Sequence, residues 1–278
     1  MRIAVCLKQV YDLDGPFAQT EETPGLEDRG LVRLVSPADQ AGLALVAAAG
    51  PAAEITALVV GPADTTPVLR WALAHGATAA ARLWDESLTG PVAGPGAAVV
   101  LAAAVRRLGA DLVVCGHRGA GYVGAALAER LGYAQVDHVA ALALAGDRLE
   151  LERRLGRGAR QAVVTALPAV VTVDPGTAQP PEAALPALIR AQRADWPVWG
   201  LAELDLRPSD LPRPAATVTA YAPPRRRPRK SAEKALTPQQ RMRQMMGGGA
   251  KAKAGSDKRV VEGPPEKLAA ELIAFLEA

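Results

Sequence analysis

Four short apolar runs that alternate with helical segments constrain the fold of this chain more than any other feature. The runs are Arg2–Leu7, Glu54–Val60, Ala79–Trp84 and Asp111–Cys115. Strands that alternate with helices through short links form a parallel sheet with helices on both faces. The first half of the sequence therefore predicts a doubly wound α/β domain.

Helix signals separate these runs. Ser36 is a good N-cap residue, Pro37 suits the first helical position, and Asp39 supplies an acid in the first turn, while Gly76 provides a stop. The predicted helices are Pro37–Ala49, a segment from Asp64 or Thr65 to His75, an alanine-rich segment that ends at Leu108, and Val123–Leu131. The first three join successive runs, as a doubly wound sheet requires.

The pattern changes in the second half of the sequence. Leucines alternate on either side of Gly146 and Asp147, which predicts a β-hairpin. Two further strands, Gln161–Thr165 and Ala169–Val173, follow without a helix between them, and Pro180–Trp196 predicts a proline-bounded loop that leads into a short helix. We therefore expect a mostly parallel sheet with an antiparallel extension.

Charge and composition set the C-terminal region apart. Between Arg225 and Arg259, twelve Lys or Arg residues stand against two acids, so this segment carries +10 and the rest of a chain of net charge +3 carries −7. A sequence rich in Pro, Gly and charge buries too little apolar surface to fold. A capping box at Thr237 and a helix over Pro265–Glu277 interrupt it. The predicted divisions are an α/β domain at 1–206, a basic linker at 207–263 and a docking helix at 264–278, the last two forming a flexible arm.

Several classes of protein do not fit the sequence. No apolar run approaches the ~20 residues of a membrane span, and Met1 leads directly into a strand, so we expect a cytoplasmic protein without a membrane span. The basic segment has no interleaved aromatic residues, which argues against a nucleic-acid partner. No G-x-S-x-G or H-E-x-x-H motif is present and the histidines are single, so we predict neither an enzyme nor a metal site. Cys6 and Cys115 end apolar runs and are expected to be buried.

The loop after the fourth run matches a dinucleotide-binding fingerprint. Gly119–Gly124 reads G-A-G-Y-V-G, and Asp137 follows at about the distance of a ribose-binding acid. In that fold, however, the fingerprint occupies the first strand-to-helix turn, and further βα units complete the site. Here a hairpin follows, and Asp137 is expected near the beginning of the next strand, at the opposite edge of the sheet. We therefore predict no NAD site.

Other interpretations of this loop stay open. Glycines without Cβ atoms would let backbone N–H groups approach a phosphate at the start of the helix at Val123, with Arg118 as a further donor; alternatively, the glycines only make a tight turn. A universal-stress type of ATP site is matched in part by Gly116 and Gly119, but Glu129 stands where that motif has another glycine. A stand-alone nucleotide-binding regulator of this type is the alternative function.

Several separated stretches resemble the β subunit of electron-transfer flavoprotein. They are K-Q-V-Y-D from Lys8, S-P-A-D from Ser36, V-G-P from Val60, L-R-W-A-L-A-H-G-A from Leu69, P-A-V-V-T-V from Pro168 and L-P-A-L-I-R-A from Leu185. All occur in the order of the family, between Met1 and Leu206. The resemblance implies a Rossmann-like fold of the adenine nucleotide alpha hydrolase type and a subunit without catalytic residues.

The resemblance also implies partners and cofactors. In the family, the β subunit pairs with an α subunit that holds the redox-active FAD, and the pair carries electrons from flavin dehydrogenases to an acceptor such as a quinone reductase. The β subunit itself binds AMP, or a second FAD in bifurcating members. Carried over to this sequence, the nucleotide-binding positions are Cys6, Ser36, Pro37, Ala38, Asp39, Val60, Gly116, His117, Arg118, Gly119, Ala120, Gly121, Tyr122, Val123 and Gly124.

The glycine loop differs from the loop of the family. The family's loop is longer and carries a Gln and an Asp, which Gly116–Gly124 lacks. Because its free N–H groups and Arg118 suffice for one phosphate, we predict AMP or an empty site, not a second FAD. For the docking of a dehydrogenase or quinone reductase, the segment Pro180–Arg193 is expected to present Leu185, Pro186, Leu188 and Ile189.

Overall fold

The computed structural model describes residues 1–12, 18–19, 26–27, 31–48, 53–86, 94–117, 123–212 and 264–276. The chain divides into two compact units, Met1–Tyr221 and Ala222–Ala278. The basic segment from Arg225 to Arg259, with the capping box at Thr237, lies outside the described residues.

A nine-stranded sheet organises the first unit. The strands of this unit are β1 (Arg2–Leu7), β2 (Gln9–Tyr11), β3 (Ala18–Gln19), β4 (Leu26–Glu27), β5 (Arg33–Val35), β6 (Glu54–Val60), β7 (Ala79–Leu83), β8 (Leu112–Gly116), β9 (Ala134–Ala145), β10 (Arg148–Arg154), β11 (Arg160–Ala166), β12 (Ala169–Val173) and β13 (Val198–Trp199). In space the large sheet runs β11-β10-β9-β12-β8-β1-β6-β7-β13, while β2 pairs with β5 and β3 with β4. In this spatial order, the strands β9-β12-β8-β1-β6-β7-β13 are all parallel. At the other end of the sheet, β10 pairs antiparallel with both β9 and β11.

Helices cover both faces of the large sheet. The helices are α1 (Pro37–Ala47), α2 (Thr66–Ala74), α3 (Pro95–Leu108), α4 (Val123–Leu131), α5 (Leu185–Arg193) and, in the second unit, α6 (Pro265–Leu276). Leu43 of α1 and Leu69 of α2 belong to one core cluster, and Val105 of α3 belongs to the other. Along β1, Val5 joins the first cluster and Cys6 the second, because successive side chains of a strand point to opposite faces.

The predicted fold class is confirmed. β1, β6, β12 and α4 begin and end at the predicted residues. Other elements differ at their ends: α1 stops at Ala47 instead of Ala49, and the helix expected from Asp64 begins as a 3-10 turn at Ala63. Such differences are ordinary, because the end turns of helices fray or tighten.

The expected position of Asp137 is wrong. β9 runs parallel to β12, with Val136 opposite Val171 and Val139 opposite Val173, so Asp137 lies level with the carboxyl end of β12. The two strands start together, but β9 is 12 residues long and continues into the hairpin with β10. Asp137 is therefore at the same edge of the sheet as Gly116, the last residue of β8, and it forms an ion pair with Arg153. The antiparallel hairpin that follows still distinguishes this order from a dinucleotide-binding half.

Candidate functional site

A cavity of about 410 Å³ opens at the carboxyl ends of β1, β6 and β8. Open α/β sheets bind their ligands at this edge, and the volume lies in the range of small-molecule sites. Its lining residues are Cys6, Leu7, Lys8, Gln9, Val10, Tyr11, Arg33, Asp39, Val60, Gly61, Pro62, Asp64, Thr65, Trp84, Gly94, Ala97, Leu101, Gly116 and Val123. We call this cavity the Asp39 pocket.

Asp39 of α1 ties two strand ends of the pocket together. Its side chain is buried, its Oδ2 accepts the N–H of Lys8 at 2.8 Å, and its Oδ1 accepts the N–H of Gly116 at 2.9 Å. The N–H of Ser36 donates to the carbonyl oxygen of Lys8 at 3.0 Å, which fixes the start of α1 against the same segment. The carboxylate of Asp39 thus links Lys8, just after β1, to Gly116 at the end of β8.

Burial changes the acidity of this carboxyl group. Loss of solvation raises the pKa of Asp39 from 3.8 to about 6, although the charge of Lys8 and the N–H groups of Lys8 and Gly116 favour the ionised form. At neutral pH the group is therefore an anion that costs free energy to bury. A buried carboxylate beside a cavity is a common feature of functional sites.

Two glycines near the pocket are required by close packing. A Cβ atom on Gly116 would lie 2.2 Å from Asp39 Oδ1 and 2.7 Å from the Cβ of Ala38. A Cβ atom on Gly124 would lie 2.4 Å from Thr172 Cγ2, so this glycine lets α4 approach β12. The last glycine of the G-x-G-x-x-G pattern thus has a packing role, as the third glycine has in dinucleotide folds.

The structure brings together only some of the predicted nucleotide-binding residues. Those that line the Asp39 pocket are Cys6, Asp39, Val60, Gly116 and Val123. Ser36 and Ala38 are buried and Pro37 is exposed, beside Asp39 in the chain. His117 lines a different pocket, described below. Arg118, Gly119, Ala120, Gly121 and Tyr122 lie outside the described residues.

Sequence reasoning missed the charged side chains of the pocket. Arg33 of β5 forms an ion pair with Asp64, and its guanidinium carbon lies 5.5 Å from the centroid of the Tyr11 ring. Arg33 reaches the pocket because β5 pairs with β2, which follows β1 directly. Lys8 could have been found, since it opens the K-Q-V-Y-D stretch immediately after β1.

The two cysteines are buried and free, as predicted. Cys6 of β1 and Cys115 of β8 lie opposite each other in the parallel register. A hydrogen bond with Cys6, together with burial, raises the pKa of the Cys115 thiol well above its ordinary value. Cys115 therefore stays protonated and unreactive at neutral pH.

Helix α5 presents an apolar surface. Leu185 is 68% exposed, and Pro186, Leu188 and Ile189 are exposed as well, whereas Ala191 is buried. On the opposite side, Arg70 of α2 donates to the carbonyl oxygens of Ala191 and Gln192 and so fixes the end of the helix. The side chain of Leu185 therefore does not pack into the core of the first unit. Among the described residues, no helix has the length and apolar character that crossing a membrane requires.

Comparison with known proteins identifies the family of the chain. The family model named "Electron transfer flavoprotein domain" matches residues 29–203, which is more than half of the chain. The chain belongs to the electron-transfer flavoprotein beta-subunit family. Protein FixA of Azorhizobium caulinodans is 33% identical over 215 residues, covering 72% of this chain and 75% of the relative.

Two further relatives carry the name of the subunit itself. Electron transfer flavoprotein subunit beta of Mycobacterium tuberculosis (strain H37Rv) is 29% identical over 252 residues, covering 84% of this chain and 92% of the relative. The subunit beta of Bacillus subtilis is 26% identical over 232 residues, covering 81% and 89%. This chain is accordingly an electron-transfer flavoprotein subunit.

Proposed function

We propose that this chain is the β subunit of a heterodimer in which an α subunit holds the redox-active FAD. Membership of the family and the names of its relatives support a paired subunit. On this proposal, the chain does not itself carry the redox centre. Its own residues shape the pocket edge of the sheet and present surfaces to the α subunit and to the electron donors or acceptors.

The Asp39 pocket is the proposed site of an adenine mononucleotide. Its volume of about 410 Å³ suits one nucleotide, whereas FAD has more than twice as many non-hydrogen atoms as AMP. Lys8 and Arg33 supply positive charge for one phosphate, which competes for them with the carboxylates of Asp39 and Asp64. Leu7, Val60 and Leu101 supply apolar area for a base. The observation that carries the proposal is this combination of charge and apolar surface at the carboxyl ends of parallel strands.

The exposed face of α5 is the proposed docking surface for a flavin dehydrogenase or a quinone reductase. It joins three apolar side chains, Leu185, Leu188 and Ile189, to two arginines near the end of the helix, Arg190 and Arg193. Apolar anchors surrounded by charged residues are typical of interfaces that bind transiently.

Co-expression with a candidate α subunit tests the pairing. We expect a yellow complex that contains one FAD per heterodimer and survives gel filtration. The isolated chain, with no α subunit present, should bind no flavin of its own. The proposal would be contradicted if the chain bound no candidate α subunit and if ATP stabilised it in isolation. That result would support the universal-stress type of regulator instead.

A further inference from the structure

Three neighbouring strands bring two imidazoles and a carboxylate together outside the Asp39 pocket. His117 follows β8, Asp174 follows β12, and His138 lies in β9. One potential ligand atom from each residue lies within 4.8 Å of those from the other two. We propose that His117, His138 and Asp174 bind a divalent transition-metal ion of the Zn²⁺ class. The single histidines of the sequence predict no metal site, and the three residues come together only in the folded sheet.

Hydrogen bonds to β12 hold His117 in place. The Nδ1 of His117 lies 3.0 Å from the hydroxyl oxygen of Thr172, and the N–H of His117 donates to the carbonyl oxygen of Val173 at 2.8 Å. The centroids of the His117 and His138 rings are 3.8 Å apart. A metal-binding imidazole usually has its other ring nitrogen engaged in this way, which fixes both tautomer and orientation.

The backbone of His138 adopts an unusual conformation. Its φ is +55°, in the left-handed region that few residues other than glycine occupy, histidine being, with asparagine and aspartate, among those found there most often. The register between β9 and β12 shifts here, since Thr172 of β12 alone lies opposite Asp137 and His138 of β9, and such a bulge turns a side chain out of its normal alternation. A strained residue at a bulge costs free energy, and strain of this kind is concentrated at functional sites.

The spacing of the ligand atoms suits a small cation. His138 Nδ1 and Asp174 Oδ2 are 2.9 Å apart. Two ligand atoms about 2.1 Å from one ion are about 3 Å apart at a right angle and about 3.4 Å apart at a tetrahedral angle, so this hydrogen-bonded pair needs to open by about 0.5 Å to hold a tetrahedral ion. Two imidazoles and one carboxylate form a donor set that binds Zn²⁺ and Fe²⁺ in open sites.

Charged residues around the three proposed ligands should affect the metal affinity in a characteristic way. Asp137 lies 4.0 Å from His138 Nε2 but is paired with Arg153. Arg154 lines the same pocket of about 600 Å³ as the three proposed ligands. The positive charge of Arg154 opposes a bare dication, so its removal should strengthen metal binding while removal of any ligand weakens it. These opposite signs separate a metal site from general damage to the fold.

Calorimetric titration of the untagged full chain with Zn²⁺ at pH 7.5 tests the proposal. We expect one equivalent to bind, and H117Q, H138N and D174N each to weaken the affinity at least ~10-fold. H138N is chosen because asparagine tolerates left-handed backbone. H75A is the matched control, since His75 lies against Trp71 in α2 and should leave the affinity unchanged. R154Q should bind Zn²⁺ more tightly than the wild-type chain.

Cobalt gives a readout that requires no variant. Wild-type chain with one equivalent of Co²⁺ should show visible absorption bands shifted from those of the hydrated ion, and Zn²⁺ should displace them. Circular dichroism of each variant with a chelator present establishes that it is folded. No saturable binding of Zn²⁺ or Co²⁺ at micromolar concentrations would overturn the proposal, as would Zn²⁺ affinities unchanged in all three ligand variants. Neither result depends on the nucleotide or the α subunit.

Discussion

The Asp39 pocket and the cluster of His117, His138 and Asp174 lie at one edge of the same sheet but are built differently. The pocket is formed at regular parallel strands, where a buried carboxylate holds two strand ends and Gly116 allows close contact. The histidine cluster lies at a bulge, where the sheet changes from parallel to antiparallel, and its side chains are half-buried. The site at regular strands is thus held by buried hydrogen bonds, whereas the bulge turns His138 toward a half-exposed cluster.

Substitution of Gly116 should have the largest effect on stability. In G116A the new methyl group would lie against Asp39 Oδ1 and Ala38, so the carboxylate must move and lose a buried hydrogen bond. We expect the free energy of unfolding to fall by about 4 kcal/mol, from overpacking and from the lost hydrogen bond together. Unfolding of G116A and the wild-type chain in urea measures this loss of stability.

Gly156 supplies the matched control for this variant. A Cβ atom there meets no atom within 4 Å, so G156A should change the free energy of unfolding by less than about 0.5 kcal/mol. Equal stability of G116A and G156A would show that the contact with Asp39 does not constrain the pocket.

Asp39 should make stability depend on pH in an unusual direction. The folded chain holds the proton of Asp39 up to about pH 6, whereas the unfolded chain releases it near pH 3.8. The folded state therefore binds more protons within this window, and the contribution of Asp39 to stability is present below pH 3.8 and is lost as the pH rises through 6. The shift corresponds to about 3 kcal/mol.

Comparison with D39N isolates this contribution. The difference in free energy of unfolding between the wild-type chain and D39N, measured in urea at several pH values, should move against the wild type by about 3 kcal/mol between pH 3 and pH 7. All other titrating groups cancel in the difference. A difference that does not vary with pH would mean that burial does not perturb Asp39.

Loss of Asp174 should cost less, because its surroundings are more exposed. D174N weakens the hydrogen bond to His138 Nδ1, and the two side chains are 19% and 36% exposed, respectively. With a chelator present, we expect the free energy of unfolding to fall by about 1 kcal/mol. A loss as large as that in G116A would show that the histidine cluster is a core element and that the contrast between the two regions is mistaken.

The smallest effect on stability is expected on α5, which contributes to neither region. L185A removes a side chain that is 68% exposed, so the free energy of unfolding should change by less than about 0.5 kcal/mol. In the heterodimer, the same variant should slow electron transfer from a partner dehydrogenase and leave flavin content unchanged. V164A, which removes a side chain of β11 that is 61% exposed, is the control for transfer. Equal transfer rates in L185A and wild type would remove α5 from the proposed docking surface.

The two regions also differ in how far the sequence predicts them. Alternating strands and helices placed Cys6, Val60 and Gly116 at one edge, because parallel strands end there, and the structure joins them in one cavity. The sequence predicts Asp39 at a helix start and, through the family resemblance, at the nucleotide site, but its hydrogen bond to Gly116, 77 residues away in the chain, depends on the completed sheet. The positions of His138 and Asp137 could not be predicted, since nothing local fixes the parallel pairing of β9 with β12 or the bulge.

The nucleotides released by acid from the purified heterodimer test the central claim most directly. Mass spectrometry and absorbance identify and count them per heterodimer. We predict one FAD and one AMP, because the Asp39 pocket has room and charge for a single mononucleotide. One FAD without AMP would preserve the pairing with an α subunit and overturn the nucleotide site. Two FAD molecules per heterodimer, both bound stoichiometrically, would contradict the account.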